Sequence, residues 1–313
     1  MTTILFEDDA FAGHETPPGH AERPERHAAV VRALATGELA DLPRRACPEA
    51  ARDRLLLAHE ADYVARIEAA SPGSGLVQLD PDTFMGPHSL TAALRGAGAC
   101  VVAVDAVMAG EADTAFVASR PPGHHAERES AMGFCLFSNA AIAALHARDA
   151  HGLTRVAVVD FDVHHGNGTQ DVLWDVPGAF YASSHEWPLY PGTGAPSERG
   201  GRGVVRNATL ASGEGSAAFR RAWADDLLPE LDAFAPELIV VSAGFDAHAA
   251  DPLASLNVHE DDFAWITDEI LALARRHARG RVVSVLEGGY DLAALEASVR
   301  AHVLRLATGG EPR

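Results

Sequence analysis

Residues 160–168, Asp-Phe-Asp-Val-His-His-Gly-Asn-Gly, put two carboxylates and two imidazoles into six positions, directly behind the apolar run 156–159. Asp162 and His164 stand two apart at the end of a predicted strand, where extended backbone sends i and i+2 to the same side, so both can reach one cation. Asp246, in Ser-Ala-Gly-Phe-Asp (242–246), closes another predicted strand and can supply a third ligand. Two carboxylates and one imidazole leave a coordination position open to water and substrate, the pattern of a catalytic rather than a structural zinc. The plainer reading of Asp-x-His is a hydrogen-bonded loop cap. Against it stands the cost of uncompensated charges gathered on converging loops.

His124 and His125 follow Arg-Pro-Pro-Gly, whose prolines and glycine impose a fixed, non-helical path. Their adjacent side chains are expected to diverge, so that each takes its own partner: one as general base toward an activated water, the other as proton donor to a leaving amine. Each ring needs a group on its far nitrogen to orient it, and Asp160 and Asn167 are the candidates. The uncharged Asn raises its histidine's pKa less than Asp does. Tyr290, in Glu-Gly-Gly-Tyr-Asp (287–291), follows two glycines that permit a sharp turn, and its phenol can donate to a developing oxyanion.

The elements that must carry these residues are legible as short β-branched runs at 2–7, 114–119, 155–161, 179–184, 237–243 and 281–286. Nearly continuous apolarity suits strands buried on both faces of a parallel sheet. Helical patterns lie between them, at 24–40, 52–70, 89–110, 137–150, 216–233, 259–278 and 291–306. The alternation predicts one α/β domain over 1–313, a mostly parallel central sheet with helices on both faces. In such a sheet the loops leaving the carboxyl strand ends meet at one edge, and that edge binds ligand.

Composition narrows the function classes. Twenty-five basic against 44 acidic residues give a formal charge of −19, which argues against nucleic-acid and anionic-membrane partners and mildly favours cationic substrates. Three widely spaced cysteines, Cys47, Cys100 and Cys135, form neither a disulfide framework nor a metal knuckle. The amino terminus carries no basic region followed by an apolar core, and no stretch approaches eighteen uninterrupted apolar residues. A cytoplasmic protein is expected.

Seven blocks then resemble, in order, the signature blocks of the histone deacetylase superfamily. They are the Pro-Glu-Arg block at 21–34, Arg-Pro-Pro-Gly-His-His-Ala (120–126), Gly-Phe-Cys-Leu-Phe-Ser-Asn (133–139), 160–170, 183–194, 242–253 and Leu-Glu-Gly-Gly-Tyr-Asp (286–291). The resemblance implies an arginase/deacetylase-like fold and zinc-dependent removal of acetyl groups from amine nitrogen, with acylated lysine or an acylated polyamine as substrate. It assigns Asp162, His164 and Asp246 to zinc, His124 and His125 to the catalytic pair, and Tyr290 to the carbonyl. Asp160 takes the position of the partner of His124, and Asn167 stands where class II and bacterial members usually carry Asn. Gly133 and Phe134 resemble one wall of a narrow acyl-lysine tunnel, with Tyr190 opposite. Arg26 matches an arginine beneath the metal, near the acetate exit. A potassium ion is implied at Asp160, Asp162, His164, Ser183 and Ser184. Polyamine-selective members carry an acidic gatekeeper where this chain has Leu253, so the leaning is toward acyl-lysine. The segment between Leu76 and His88 does not resemble the long dimerisation loop of bacterial relatives, and a homo-oligomer is left open.

Two rivals remain. A ureohydrolase on the same fold needs a second metal and a further Asp at residue 166, which is Gly. A silent module that only binds acetylated amines would not need every catalytic position filled, as it is here.

Overall fold

The computed structural model describes residues 1–309; of the single domain expected over 1–313, residues 310–313 lie outside the described part. Ten strands form: β1 (Thr3–Phe6), β2 (Arg44–Arg45), β3 (Val77–Asp80), β4 (Thr83–Met85), β5 (Thr114–Val117), β6 (Val156–Asp160), β7 (Ala179–Glu186), β8 (Val205–Leu210), β9 (Leu238–Ala243) and β10 (Val282–Leu286). Eight of them make one sheet in the order β2-β1-β5-β10-β9-β6-β7-β8, parallel throughout. β3 and β4 make a separate antiparallel hairpin. The helices are α1 (Glu25–Leu34), α2 (Arg52–Leu55), α3 (Ala61–Ala70), α4 (Ser89–Met108), α5 (Asn139–His151), α6 (Asn167–Leu173), α7 (Ser216–Arg221), α8 (Leu228–Phe234), α9 (Glu260–His277) and α10 (Leu292–Thr308).

Strand alternation splits the buried residues between two cores. Ala157 and Val159 of β6, with Ile239 and Val241 of β9, face the layer holding α1, α9 and α10. Val156, Val158, Leu238 and Val240 face the layer holding α4 and α5. β6 and β9 therefore bury apolar side chains on both faces, which is why their runs read as continuous rather than alternating. α4 is long and apolar enough to cross a bilayer, yet most of it is buried in the second core, against β5 and α5.

The six expected strands stand within two residues of their predicted bounds. Four of the expected helices, 89–110, 137–150, 259–278 and 291–306, stand equally close, as α4, α5, α9 and α10, and the other three differ, each for a local reason. The helix expected over 24–40 ends at Leu34, and Gly37, at φ +61°, opens a 3-10 turn instead. The one expected over 52–70 breaks between Leu55 and Ala61. There His59 is pinned by two backbone groups, its Nδ1 to the Glu127 carbonyl at 2.9 Å and its Nε2 to the Ser138 N–H at 2.9 Å. Tertiary hydrogen bonds override helix propensity at that point. The helix expected over 216–233 contains a π turn, Ala222–Leu227, ahead of Pro229, which has no N–H to continue the ladder. The 76–88 segment, expected only as a short insertion, folds as the β3–β4 hairpin, and β8 and α6 were not foreseen.

The sheet order places β5, β10, β9 and β6 side by side. The loops that follow these four strands carry His124 and His125, Tyr290, Asp246, and Asp162 with His164. Neighbouring carboxyl ends thus deliver residues as far apart as 124 and 290 to one edge.

Close packing of backbone on α4 supports this frame. A Cβ at Gly98 would stand 1.9 Å from the Pro48 carbonyl oxygen and 2.7 Å from the Ala50 nitrogen. Backbone cannot rotate away as a side chain does, so Gly98→Ala is expected to cost about 1–3 kcal/mol of stability. A thermal melt should show this as a lowered Tm, and an unchanged Tm would contradict the packing described.

Candidate active site

Asp162 and His164 lie just past β6, and Asp246 just past β9, all three buried. Oδ1 of Asp162 and Oδ2 of Asp246 each stand 3.2 Å from Nδ1 of His164. The outer oxygens are already committed: Gly288 N–H donates to Asp162 Oδ2 at 2.9 Å, and Val163 N–H to Asp246 Oδ1 at 2.8 Å. The three remaining ligand atoms lie within 4.8 Å of one another, a grouping that an ion with bonds of ~2.0–2.2 Å can span. The electrostatics call for a cation. Burial lowers the His164 pKa, but the two carboxylates outweigh it and push it up to about 10. Burial and the Asp162 charge raise Asp246. Two buried carboxylates thus compete for one positive charge, and a divalent ion fits this donor set.

Glycines make the space. A Cβ at Gly288 would lie 2.1 Å from Asp246 Oδ2 and 2.6 Å from Asp162 Oδ2, and one at Gly244 would lie 2.0 Å from Asp162 Oδ2. At Gly166, where a second-metal aspartate would have to stand, any Cβ would lie 2.3 Å from Asp160 Oδ2. That position admits no side chain, which removes the ligand a two-metal ureohydrolase needs.

The two histidines each have their own partner. His124 Nδ1 donates to Asp160 Oδ2 at 3.1 Å, and His125 Nδ1 to Asn167 Oδ1 at 2.7 Å. Their rings do not diverge as expected, however. The centroids are 4.0 Å apart, because Gly123 turns the chain against Asn139 while Gly133 leaves room beside the His125 ring. The close pair splits electrostatically. For His124, burial opposes charge, but Asp162 and Asp160 outweigh burial and hold the imidazole well above its ordinary value. For His125, burial together with His124 and His164 holds it well below. The surroundings thus favour the charged form of one ring and the neutral form of the other, a division that suits an acid–base pair.

A cavity of about 240 Å³ opens above this cluster, lined by His125, His164, Gly133, Phe134, Leu189, Tyr190, Leu253, Tyr290 and Asp82. Tyr290 is buried, and its hydroxyl makes no hydrogen bond among the described residues, so its donor is uncommitted. The Phe134 ring meets Tyr290 edge-on at 5.7 Å, and the Tyr190 ring meets His125 at 5.1 Å. Tyr190 is 37% exposed, at the cavity mouth. Phe134 holds φ +69°, a conformation that costs a non-glycine residue, and follows Gly133 at +56°. The hairpin pays for that strain: Asp82 Oδ1 accepts from Gly133 N–H at 3.1 Å and Thr83 Oγ1 from Phe134 N–H at 3.0 Å.

Arg26 is fully buried below the site. It donates to the Gly289 carbonyl at 2.7 Å, the Glu287 carbonyl at 2.5 Å and Glu22 at 2.9 Å, with its guanidinium 4.9 Å from the Tyr290 ring centre. Asp160 pairs in register with Ser183 across β6 and β7, while the Ser183 and Ser184 hydroxyls bond His185 and Trp223.

Several contributors escaped the sequence reading. Glu287 accepts from Gly123 N–H at 2.6 Å and His124 N–H at 3.1 Å, with burial pushing its carboxyl up to about 7. Asp251 accepts from Tyr290 N–H at 2.7 Å. Tyr181 donates to Asp160 at 3.0 Å. Glu287 and Asp251 belong to blocks already singled out, Glu-Gly-Gly-Tyr-Asp and Asp-Pro-Leu, and the Leu-Asp-Pro-Asp turn announces the hairpin; their acidity beside those motifs is the signal that was available.

Comparison with known proteins agrees with this geometry. The family model described as "Histone deacetylase domain" matches residues 20–306. A histone deacetylase-like amidohydrolase of Pseudomonas aeruginosa is 44% identical over 89% of this chain and 75% of its own. A probable deacetylase of Archaeoglobus fulgidus is 35% identical over 93% of this chain and 82% of its own. Among solved structures, the HDA15 HD domain superposes with a TM-score of 0.93 at 33% identity, covering 98% of this chain and 88% of that one.

The crowding around the ligands can be tested directly. Gly288→Ala pushes a methyl between Asp162 and Asp246, and such disturbance behind the ligands costs about 10–100-fold in metal affinity. Competition titration against a chelator should show that loss with the fold retained; unchanged affinity would mean the two carboxylates do not share an ion.

Proposed function

Because the chain belongs to the histone deacetylase family, we propose that it is a zinc-dependent deacetylase removing acetyl or other short acyl groups from acylated amines, chiefly acyl-lysine. The observation that carries this reading is the buried Asp162–His164–Asp246 cluster at the base of a cavity also lined by His125 and Tyr290.

Asp162, His164 and Asp246 would hold the zinc, which when bound would supply Lewis acidity toward a water and an amide carbonyl. His125 reaches the cavity with a neutral ring whose Nδ1 proton is spent on Asn167, so its Nε2 is free to take the water proton. Tyr290 presents its unspent hydroxyl to the oxygen that gains charge. His124, whose charged form Asp162 and Asp160 favour, can give a proton toward the departing amine. Leu189, Phe134 and Tyr190 present apolar surface to an aliphatic stem and exclude water from it. Arg26 steadies the Gly289 backbone beside Tyr290, next to the region where acetate must leave. A potassium ion at the β6–β7 seam belongs to the same reading, with Asp160, Asp162, His164, Ser183 and Ser184 as its surroundings, as does a cytoplasmic setting with three free buried thiols.

One observation favours a second substrate. Leu253 at the cavity offers nothing to a distal ammonium, but Asp82 also lines it and carries a carboxylate that can. An acetylpolyamine is therefore the alternative, and comparing kcat/KM for an acetyl-lysine peptide, N-acetylputrescine and N8-acetylspermidine separates the two.

Tyr290→Phe is expected to lower kcat by about 10²–10³-fold with metal content unchanged. Near-normal hydrolysis by that variant would remove Tyr290 from the mechanism.

A further inference from the structure

We infer that Glu127 is a positioning residue for the general base: by fixing the Asn167 amide it sets the tautomer of His125. The inference rests on the reading of His125 as base. That role requires an unprotonated Nε2, and in a neutral imidazole this means that the proton sits on Nδ1 and meets an acceptor there. The acceptor is Asn167 Oδ1, at 2.7 Å.

An amide is a poor guarantor of this arrangement. Its two ends are nearly the same size, and a half-turn would aim NH₂ at Nδ1, forcing the proton onto Nε2 and abolishing the base. An aspartate in this place could only accept; an asparagine needs something else to hold it. The other end of the Asn167 amide stands 2.7 Å from Glu127 Oε1 and 3.3 Å from Met132 Sδ. A carboxylate accepts and does not donate, so it admits the NH₂ alone, and the carbonyl must turn to His125. The thioether is only a weak acceptor and cannot impose the choice by itself.

Glu127 is free for this task. Its backbone is anchored separately, the N–H donating to the Ser130 carbonyl at 3.0 Å and the carbonyl accepting from His59 at 2.9 Å. Its side chain is half-buried and forms no ion pair among the described residues. Exchanging the carboxylate should therefore leave the loop in place.

The test is a two-residue cycle on the zinc-loaded protein. Glu127→Gln can present either of its own ends to Asn167, so the lock is lost; kcat should fall by about 10–100-fold with little change in KM. Asn167→Asp sets two carboxylates against each other and should also impair turnover. Combining the two restores a one-way chain, in which the new glutamine amide donates to the new aspartate and the aspartate accepts from His125, and activity should recover beyond either single variant. The second readout is independent of substrate: in protein labelled with ¹⁵N-histidine, the His125 signals, assigned by their absence in His125→Ala, should report the Nδ1–H tautomer in the native chain and the double variant. In Glu127→Gln they should shift toward a mixture. Native kcat with a native tautomer in Glu127→Gln, or a double variant no better than the singles, would overturn the inference. Should no acylated amine be hydrolysed by the native protein, the deacetylase reading fails while the tautomer result still stands.

Discussion

Two carboxylates with no solvent around them face a single imidazole nitrogen, and that arrangement constrains everything else at the sheet edge. Isolated, such a group of charges is costly; a cation between the three would turn repulsion into attraction. The backbone accommodates it with N–H groups from Val163 and Gly288 and with glycines at 244 and 288 where no Cβ fits. The next residues outward feel the same carboxylates: burial lowers His124 but Asp162 and Asp160 raise it above its ordinary value, while burial, with His124 and His164, lowers His125.

The outward propagation explains why a large share of the fold serves so few atoms. Four adjacent parallel strands are needed because no single loop can bring a carboxylate, a second carboxylate, an imidazole pair and a phenol to one point from one direction. Helices on both faces then follow from strands that are apolar on both sides. The β3–β4 hairpin, although outside the main sheet, holds Gly133 and Phe134 in left-handed conformations that the cavity wall uses.

The sheet and the grouping of Asp162, His164 and Asp246 were legible because each leaves a strong local mark. β-branched runs such as 237–243 end in polar clusters, and Asp-x-His two residues apart is a spacing with a direct geometric meaning. What was illegible depends on contacts distant in sequence. Nothing in Leu-Leu-Ala-His-Glu (56–60) says that a helix must break there; the break comes from His59 meeting the Glu127 and Ser138 backbone. The divergence expected of His124 and His125 holds for an extended chain, whereas the actual turn at Gly123 brings the rings together. β8 was hidden by the Gly- and Arg-rich segment before it, and α6 by its opening Asn-Gly, which reads as a turn. Glu127, Asp251 and Glu287 are individually ordinary acids whose meaning lies wholly in the backbone or amide groups they face.

The central claim is that Asp162, His164 and Asp246 hold one divalent ion. Anomalous diffraction collected on either side of the zinc absorption edge, from crystals of the zinc-loaded protein, tests it most directly. The account predicts a single strong peak per chain within ~2.0–2.2 Å of Asp162 Oδ1, Asp246 Oδ2 and His164 Nδ1. No peak there, or a peak bonded to other residues, would contradict it.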